Sequence, residues 1–309
     1  MKVSVKTPAT IANLGPGFDS FGLALPLYNI VSVEETVLPG SGIEINILNE
    51  KNNEDVSDIP TDKNNIVYKA IELLYNFIGQ VPNELKISIK TQIPISRGLG
   101  SSASVIVGGL IAANELLGRP ADEKVLMSIA TEIEGHPDNI IPAFVGGTTM
   151  ASWEEDGSVI YRKLPWNDEW KLMVCVPDYE LNTEISRSVL PEAVPIQDAI
   201  YNTKRMGMLI HAVNTVDSKL MKAALSDRLH QPYRAKLVPW MGDINESIKH
   251  DDDIFGCVLS GAGSAVLIVS QNSAIDKVKS KVSEVMQNLN VKADIKTLKV
   301  EMNGATVIS

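Results

Sequence analysis

Residues 94–104 read Pro-Ile-Ser-Arg-Gly-Leu-Gly-Ser-Ser-Ala-Ser, and these types at this spacing suit the holding of an anion. Gly98 and Gly100 allow backbone angles closed to other residues, and they put no Cβ between the main chain and an approaching phosphate. Ser101 and Ser102 add hydroxyls that could cap a helix or serve a phosphate or a metal. A second group is crowded into Glu132-Ile-Glu134-Gly-His136-Pro-Asp138-Asn139. Its carboxylates are candidate oxygen ligands for a hard divalent cation. Asn13 and Asp19 flank a Gly-Pro-Gly turn, and Ser260-Gly-Ala-Gly-Ser264 is a second glycine-rich turn. Arg187 and Arg234 could each grip a carboxylate in bidentate fashion. Every one of these has an ordinary use as well: a solvated helix face for the glutamates, local hydrogen bonds for His136, capping for Asp138, a surface position for the arginines.

The elements around residue 100 decide what that stretch can do. Leu85, Ile87 and Ile89 alternate with Lys86, Ser88 and Lys90, the period of a half-buried strand. Ser101 to Leu117 reads as a buried helix through Val105, Ile106, Leu110, Ile111, Ala113, Leu116 and Leu117. Strand, turn and helix in that order aim backbone N–H groups, at the positive end of the helix dipole, into one small volume. A triphosphate cradle is one reading, and a connection using Gly for geometry and Ser for capping is the other. The cradle is not a Walker loop, because no Lys follows Gly100, and it lacks the third glycine of the dinucleotide fingerprint. A triphosphate here would need its charge neutralised elsewhere, most plainly by Mg²⁺ on Ser102 and either Glu132 or Glu134.

The remaining pattern is α+β. The chain opens with a short strand, Lys2–Thr7, and a segment Pro8–Asp19 whose Gly-Pro-Gly core signals a turn. A strand from Phe21 to Val37 broken at Pro26 follows, then a strand through Ile43, Ile45 and Ile47. Asn49 to Lys63 is a polar excursion, and a helix runs from Val67 to Ile78. A helix from Ala121 should end near Gly135, because Pro137 disfavours helical geometry at His136, leaving the polar residues beyond it in a loop. Strands Val145–Trp153 and Val159–Leu164 pair, and the pattern restarts near residue 165. Two domains are expected, 1–165 and 166–309. The second holds strand Trp170–Val176, a polar stretch with Thr183 and Arg187, and helix Ile196–Val216 with shorter pieces to Ile248. Strands flank the second glycine turn, a helix opens on a Ser273/Asp276 capping box, and the end forms strands around an Asn303-Gly304 turn.

Composition narrows the classes. A net charge of −10 over 309 residues argues against a nucleic-acid or anionic-membrane surface, though not against a local phosphate pocket. Cys175 and Cys257 lie in apolar runs, the setting of buried reduced thiols rather than a disulfide framework. Met1-Lys-Val-Ser-Val-Lys6 has no signal-peptide core, and no apolar run approaches the ~20 residues of a membrane span, so a cytoplasmic location is expected. No His and Cys cluster has zinc spacing, and no Gly-x-Ser-x-Gly elbow supports a hydrolase.

Four segments together resemble the GHMP kinases, and among them the homoserine kinases of bacteria. They are Pro94–Ser104, Pro8–Asp19, Glu134–Asn139 and Ser260–Ser264, and the resemblance runs from about residue 3 to 269. It implies ATP-dependent phosphorylation of the L-homoserine side-chain hydroxyl, on the route to threonine. It also implies an N-terminal domain like the second domain of ribosomal protein S5, a ferredoxin-like C-terminal domain, an active site between them, and a homodimer. Pro94, Ile95, Ser96, Arg97, Gly98, Leu99, Gly100, Ser101, Ser102, Ala103 and Ser104 would wrap the phosphates, with Asn65 near the adenine. Ser102 and Glu132 would hold Mg²⁺, Glu134 being the alternative. Asn13, Asp19, His136 and Asn139 would line the homoserine pocket, Asp19 toward its ammonium and Arg187 and Arg234 toward its carboxylate. Asp138 lies near the place of the base used by sugar and mevalonate relatives, but the Lys that accompanies that base has no clear counterpart here. A mevalonate-type kinase and an inactive amino-acid sensor on the same fold are the competing readings. The first has no use for two arginines and an ammonium-binding carboxylate. The second should have lost the phosphate loop or its acidic partner.

Overall fold

Alternating apolar residues build the first sheet. The computed structural model describes residues 1–36, 42–49, 56–82 and 84–309. β1 (Lys2–Asn13) and β2 (Gly17–Glu35) pair antiparallel and bury Val3, Val5, Val31 and Val33. β1 thus continues well past Thr7, up to the turn at the Gly-Pro-Gly core that joins it to β2. Its register against β2 shifts between Pro8 and Ala9, where Pro26 and Leu27 fall in the gap, so both prolines sit at a bulge rather than breaking the pair. The expected strand end at Val37 and residues 50–55 of the polar excursion lie outside the described residues. β3 (Glu44–Asn49), α1 (Ile66–Phe77) and β4 (Leu85–Thr91) come next, with β3 parallel to β4 and β4 antiparallel to the second half of β2. α2 (Ser101–Leu116), α3 (Glu123–Glu134) and α4 (Pro137–Val145) complete the helical layer over this sheet. β5 (Thr148–Trp153) pairs with the first part of β2 and with β6 (Val159–Leu164).

The second half begins with β7 (Trp170–Pro177), followed by α5 (Thr183–Ser188), α6 (Ile196–Thr215), α7 (Ser218–Ala224), α8 (Gln231–Arg234) and α9 (Pro239–Ile248). β8 (Ile254–Leu259), β9 (Val266–Gln271), α10 (Ile275–Asn288), β10 (Ala293–Leu298) and β11 (Thr306–Val307) end the chain. The order β10-β7-β9-β8, antiparallel throughout, is the split βαβ arrangement of ferredoxin-like sheets. α9 and α10 cover one face, packing Ile244, Ile248, Val278 and Val282 on Met173, Cys175 and Ile268. On the other face Leu172, Val174 and Leu267 join Leu209 and Val213 of α6 and Ile11, Leu23, Leu25 and Leu99 from the first half. That shared cluster clamps the loop before α2 between the two sheets.

Three local expectations fail for identifiable reasons. Asn303-Gly304 does not join a hairpin: β10 pairs with β7 while β11 pairs with β1. The link is held instead against the first half, where Ala305 N–H donates to Ala143 O at 2.9 Å and Gly147 N–H donates to Glu301 O at 2.7 Å. α10 has no capping box, because a short 3₁₀ turn at Asn272–Ala274 precedes it and no side chain caps it. Asp138 and Asn139 are not in a loop. Pro137 occupies the first turn of α4, where its missing N–H is no loss and its fixed φ is already helical.

Candidate active site

The loop after β4 is tied down from behind. Leu181 N–H donates to Ser96 O at 3.0 Å, Ala265 N–H to Arg97 O at 3.0 Å, and Thr10 N–H to Leu99 O at 3.1 Å. The Ser260 hydroxyl donates to Gly98 O at 2.6 Å. The carbonyls of Ser96, Arg97, Gly98 and Leu99 are therefore all drawn away from the cavity in front of them. What the loop offers forward is the first turn of α2, whose N–H groups have no acceptor within the helix. Gly98 (φ +74°) and Gly100 (φ +63°) make this possible. A Cβ on Gly98 would stand 2.2 Å from Ser260 O, and one on Gly100 1.8 Å from Thr10 Oγ1. The second glycine-rich turn thus braces the first.

In front lies a cavity of about 430 Å³, within the range of small-molecule sites. Its lining includes Asn65, Pro94, Ile95, Ser96, Gly98, Leu99, Gly100, Ser101 and Ser102, with Ile47, Ile66, Ile89 and Val105. Asn13, Asp19, His136, Asp138, Asn139, Arg187 and Arg234 line it as well. All but four of the site residues singled out from sequence therefore meet in one space, Glu134 among them. Arg97, Ala103, Ser104 and Glu132 do not.

The four exceptions have plain causes. Arg97 turns away and is buried, donating to Pro177 O at 3.1 Å and Ile95 O at 3.2 Å and facing Asp178 and Glu180. It ties the loop to the end of β7. Ala103 and Ser104 are inside α2, and the Ser104 hydroxyl donates to Thr7 O at 3.1 Å. Glu132 is exposed, and Glu134 takes the place expected for it, accepting from the Ser102 hydroxyl at 2.9 Å. Two residues apart on a helix means about 200° of rotation, so only one of the pair can face the cavity.

Several lining residues are held by partners that define what they can still do. The Asn65 side chain caps α1, accepting from Val67 N–H at 2.9 Å and donating to Pro60 O. Asn13 donates to Gly261 O at 3.1 Å and accepts from Asp19 N–H at 3.0 Å, bridging the β1–β2 turn to the second glycine turn. Thr10 donates to Asn139 Oδ1 at 2.7 Å, which leaves the NH₂ end of Asn139 for the cavity. His136 precedes α4, with Nδ1 2.6 Å from Asp138 Oδ1. Burial pulls the His136 imidazole down, but the hydrogen bond and charge of Asp138, with Glu134 and Asp19, more than offset this and raise it. Burial pushes the Glu134 carboxyl up, against lowering by His136 and Ser102. Asp19 and Arg187 form a two-point ion pair at 2.7 and 3.2 Å. Arg234 is buried beneath them, and burial followed by the nearby Arg187 lowers it to about 10, still cationic near neutrality. It donates to Ser186 O at 3.0 Å and Gly261 O at 3.2 Å.

Thr10, which holds Asn139, was not legible as a site residue in the sequence, and neither were Phe18 and, at the start of α5, Asn182 and Glu184, which line the cavity. Phe18 alone had a signal, being an aromatic beside the Gly-Pro-Gly turn.

A braced strand–loop–helix cradle and paired charges lining one cavity, in a two-domain α+β fold, define a small-molecule phosphotransferase of one known class. The family models for the GHMP kinases N terminal domain and the GHMP kinases C terminal match residues 65–147 and 209–288, so the chain belongs to the GHMP kinases. It is 38% identical over 307 residues to a homoserine kinase of Microchaete diplosiphon, covering 99% of this chain and 97% of that one. It is 39% identical over 305 residues to a homoserine kinase of Clostridium botulinum, covering 99% and 98%. The crystal structure of homoserine kinase from Cytophaga hutchinsonii superposes with a TM-score of 0.88 at 26% identity, covering 99% of this chain and 97% of that one. Within the GHMP kinases the chain falls among the homoserine kinases.

Proposed function

We infer that this chain transfers the γ-phosphoryl group of ATP to the side-chain hydroxyl of L-homoserine, giving O-phospho-L-homoserine, in the cytoplasm and as a homodimer. The observation that carries the reading is the meeting of the phosphate loop with Asp19, Arg187 and Arg234 in one cavity. A substrate with both an ammonium and a carboxylate explains that set, whereas mevalonate has no ammonium. An intact loop and its acidic partner Glu134 speak against an inactive sensor.

The triphosphate would lie along residues 96–102, taking N–H donors at the start of α2. The amino acid would enter by exchange of partners. Its ammonium takes the Asp19 carboxylate, and the Arg187 guanidinium so released joins Arg234 on the substrate carboxylate. The Asn139 NH₂ would then orient the hydroxyl for in-line attack. Ser102 and Glu134 fit Mg²⁺, being a hydroxyl and a carboxyl oxygen 2.9 Å apart on the cavity wall. When bound, the cation would neutralise charge on the transferring phosphoryl oxygens. The rest is alignment, which suffices for a loose transition state.

Glu134→Gln should raise the Mg²⁺ concentration for half-maximal rate by more than about tenfold, while Glu132→Gln leaves it unchanged; a magnesium titration of initial rates reads both. Asp138 Oδ1 is bonded to His136 Nδ1, an orienting role, and a loose transition state needs alignment more than a base. Asp138→Asn should therefore keep measurable turnover, and loss of all turnover with ATP still bound would restore Asp138 as a base. The reading itself is tested by ADP release with ATP, Mg²⁺ and a panel of L-homoserine, L-serine, L-threonine and mevalonate. L-Homoserine should be the preferred acceptor. Preference for mevalonate, or no acceptor at all, would reject it. Sedimentation should return twice the mass of one chain if the homodimer is right.

A further inference from the structure

Behind Arg234 lies a buried polar cluster that none of the roles above uses. The Asp227 side chain, fully buried, accepts from the N–H groups of Leu229, His230 and Gln231 at 3.0, 3.0 and 2.7 Å and from Asn202 Nδ2 at 2.7 Å. These bonds fix the turn into α8 and hence the direction of the His230 side chain. His230 is 0% exposed, and its ring stacks on Phe18 at 4.9 Å. Its Nε2 lies 2.8 Å from Gly15 O and its Nδ1 3.3 Å from the Arg234 guanidinium.

The chemistry of those neighbours leaves one form of the ring. A carbonyl cannot donate and a guanidinium cannot accept, so Nε2 must carry the proton and Nδ1 must be bare. Burial also depresses the His230 imidazole below its ordinary range, in keeping with a neutral ring. Arg234 then has three anchors: Ser186 O, Gly261 O and His230 Nδ1. The same ring holds Gly15, in the turn that leads into Phe18 and Asp19 at the start of β2.

We propose that His230 is a positioning residue for the amino-acid substrate. Held as its Nε2–H tautomer between Gly15 O and Arg234, it directs the Arg234 guanidinium at the substrate carboxylate and fixes its distance from Asp19. The proposal rests on the homoserine reading above. It explains a histidine buried against an arginine, a pairing that helps neither unless the arginine's direction matters. Anchoring also removes rotamer freedom from Arg234 before the ligand arrives, so less is lost on binding.

Two side chains separate the ring's two contacts. In His230→Asn the amide oxygen can stand in for Nδ1 and accept from Arg234. In His230→Gln the amide can reach Gly15 O but leaves Arg234 without that acceptor. His230→Gln should raise the KM for L-homoserine about tenfold, with kcat and the KM for ATP within about twofold; His230→Asn should keep the homoserine KM within about threefold. No change in His230→Gln, an equal rise in both variants, or an equal rise in the KM for ATP would overturn the proposal. The wild-type enzyme supplies a readout that needs no variant to fold. Its four histidines can be resolved in a long-range ¹H–¹⁵N imidazole spectrum. His230 should appear as the neutral Nε2–H tautomer, and an Nδ1–H or doubly protonated ring would contradict the role. Wild-type enzyme that ignores L-homoserine would instead reject the reading beneath it, whatever the tautomer.

Discussion

Gly100→Val should abolish both turnover and saturable ATP binding while the chain stays folded. The Cβ would lie 1.8 Å from Thr10 Oγ1 and 3.0 Å from Asn139 Oδ1. Neither neighbour can yield, because Thr10 is buried in β1 and is hydrogen-bonded to Asn139 at 2.7 Å. The backbone at φ +63° adds ~1–2 kcal/mol for any side chain. The start of α2 must therefore move, taking with it the donors for the triphosphate and the amide meant for the acceptor hydroxyl. Displacement of about 1 Å in such a site costs about 10²-fold, and a β-branched side chain asks for more. Titration calorimetry with ATP and the steady-state rate read the two halves of this expectation, and circular dichroism reports the fold. Wild-type ATP affinity in this variant would show that the phosphates bind elsewhere.

Arg234→Met should lower kcat/KM for L-homoserine by about 10³-fold and alter the KM for ATP little. A buried cation hydrogen-bonded to a ligand carboxylate is worth about 2–5 kcal/mol when one partner is cut away. Here the loss is compounded, because Ser186 O and Gly261 O lose their donor and Ser186 belongs to α5, which carries Arg187. Arg187→Met should cost less. Its side chain is 38% exposed, and its removal frees Asp19 for the incoming ammonium. Initial rates at varied homoserine for both variants check the ranking, and a larger loss at Arg187 would reverse the assignment of the principal carboxylate anchor.

The parts of the site written locally were legible, and those made by distant contacts were not. The cradle could be read because its glycines, its serines and the strand and helix beside it are contiguous. Which of Glu132 and Glu134 faces the cavity depends on the rotational phase of α3, which is set by packing. Arg97 sits in the middle of the motif yet points out of the site, because its partners at Pro177, Asp178 and Glu180 are some eighty residues on. Thr10 meets Asn139 across 129 residues and His230 meets Gly15 across 215, and no local pattern announces either pair. Pro137 was read as ending a helix when it also begins the next. Asn303-Gly304 was read as the turn of a hairpin, but no turn forms there and the strands on either side went to different sheets.

The most direct test is a crystal of the wild-type chain soaked with Mg²⁺, a non-hydrolysable ATP analogue and L-homoserine. Its triphosphate should lie on the backbone of residues 96–102, with the cation against Ser102 and Glu134. The homoserine carboxylate should meet Arg187 and Arg234, and its hydroxyl should face the γ-phosphate beside Asn139. A nucleotide seated away from this turn, or an amino acid bound with the Asp19–Arg187 pair still closed, would contradict the account.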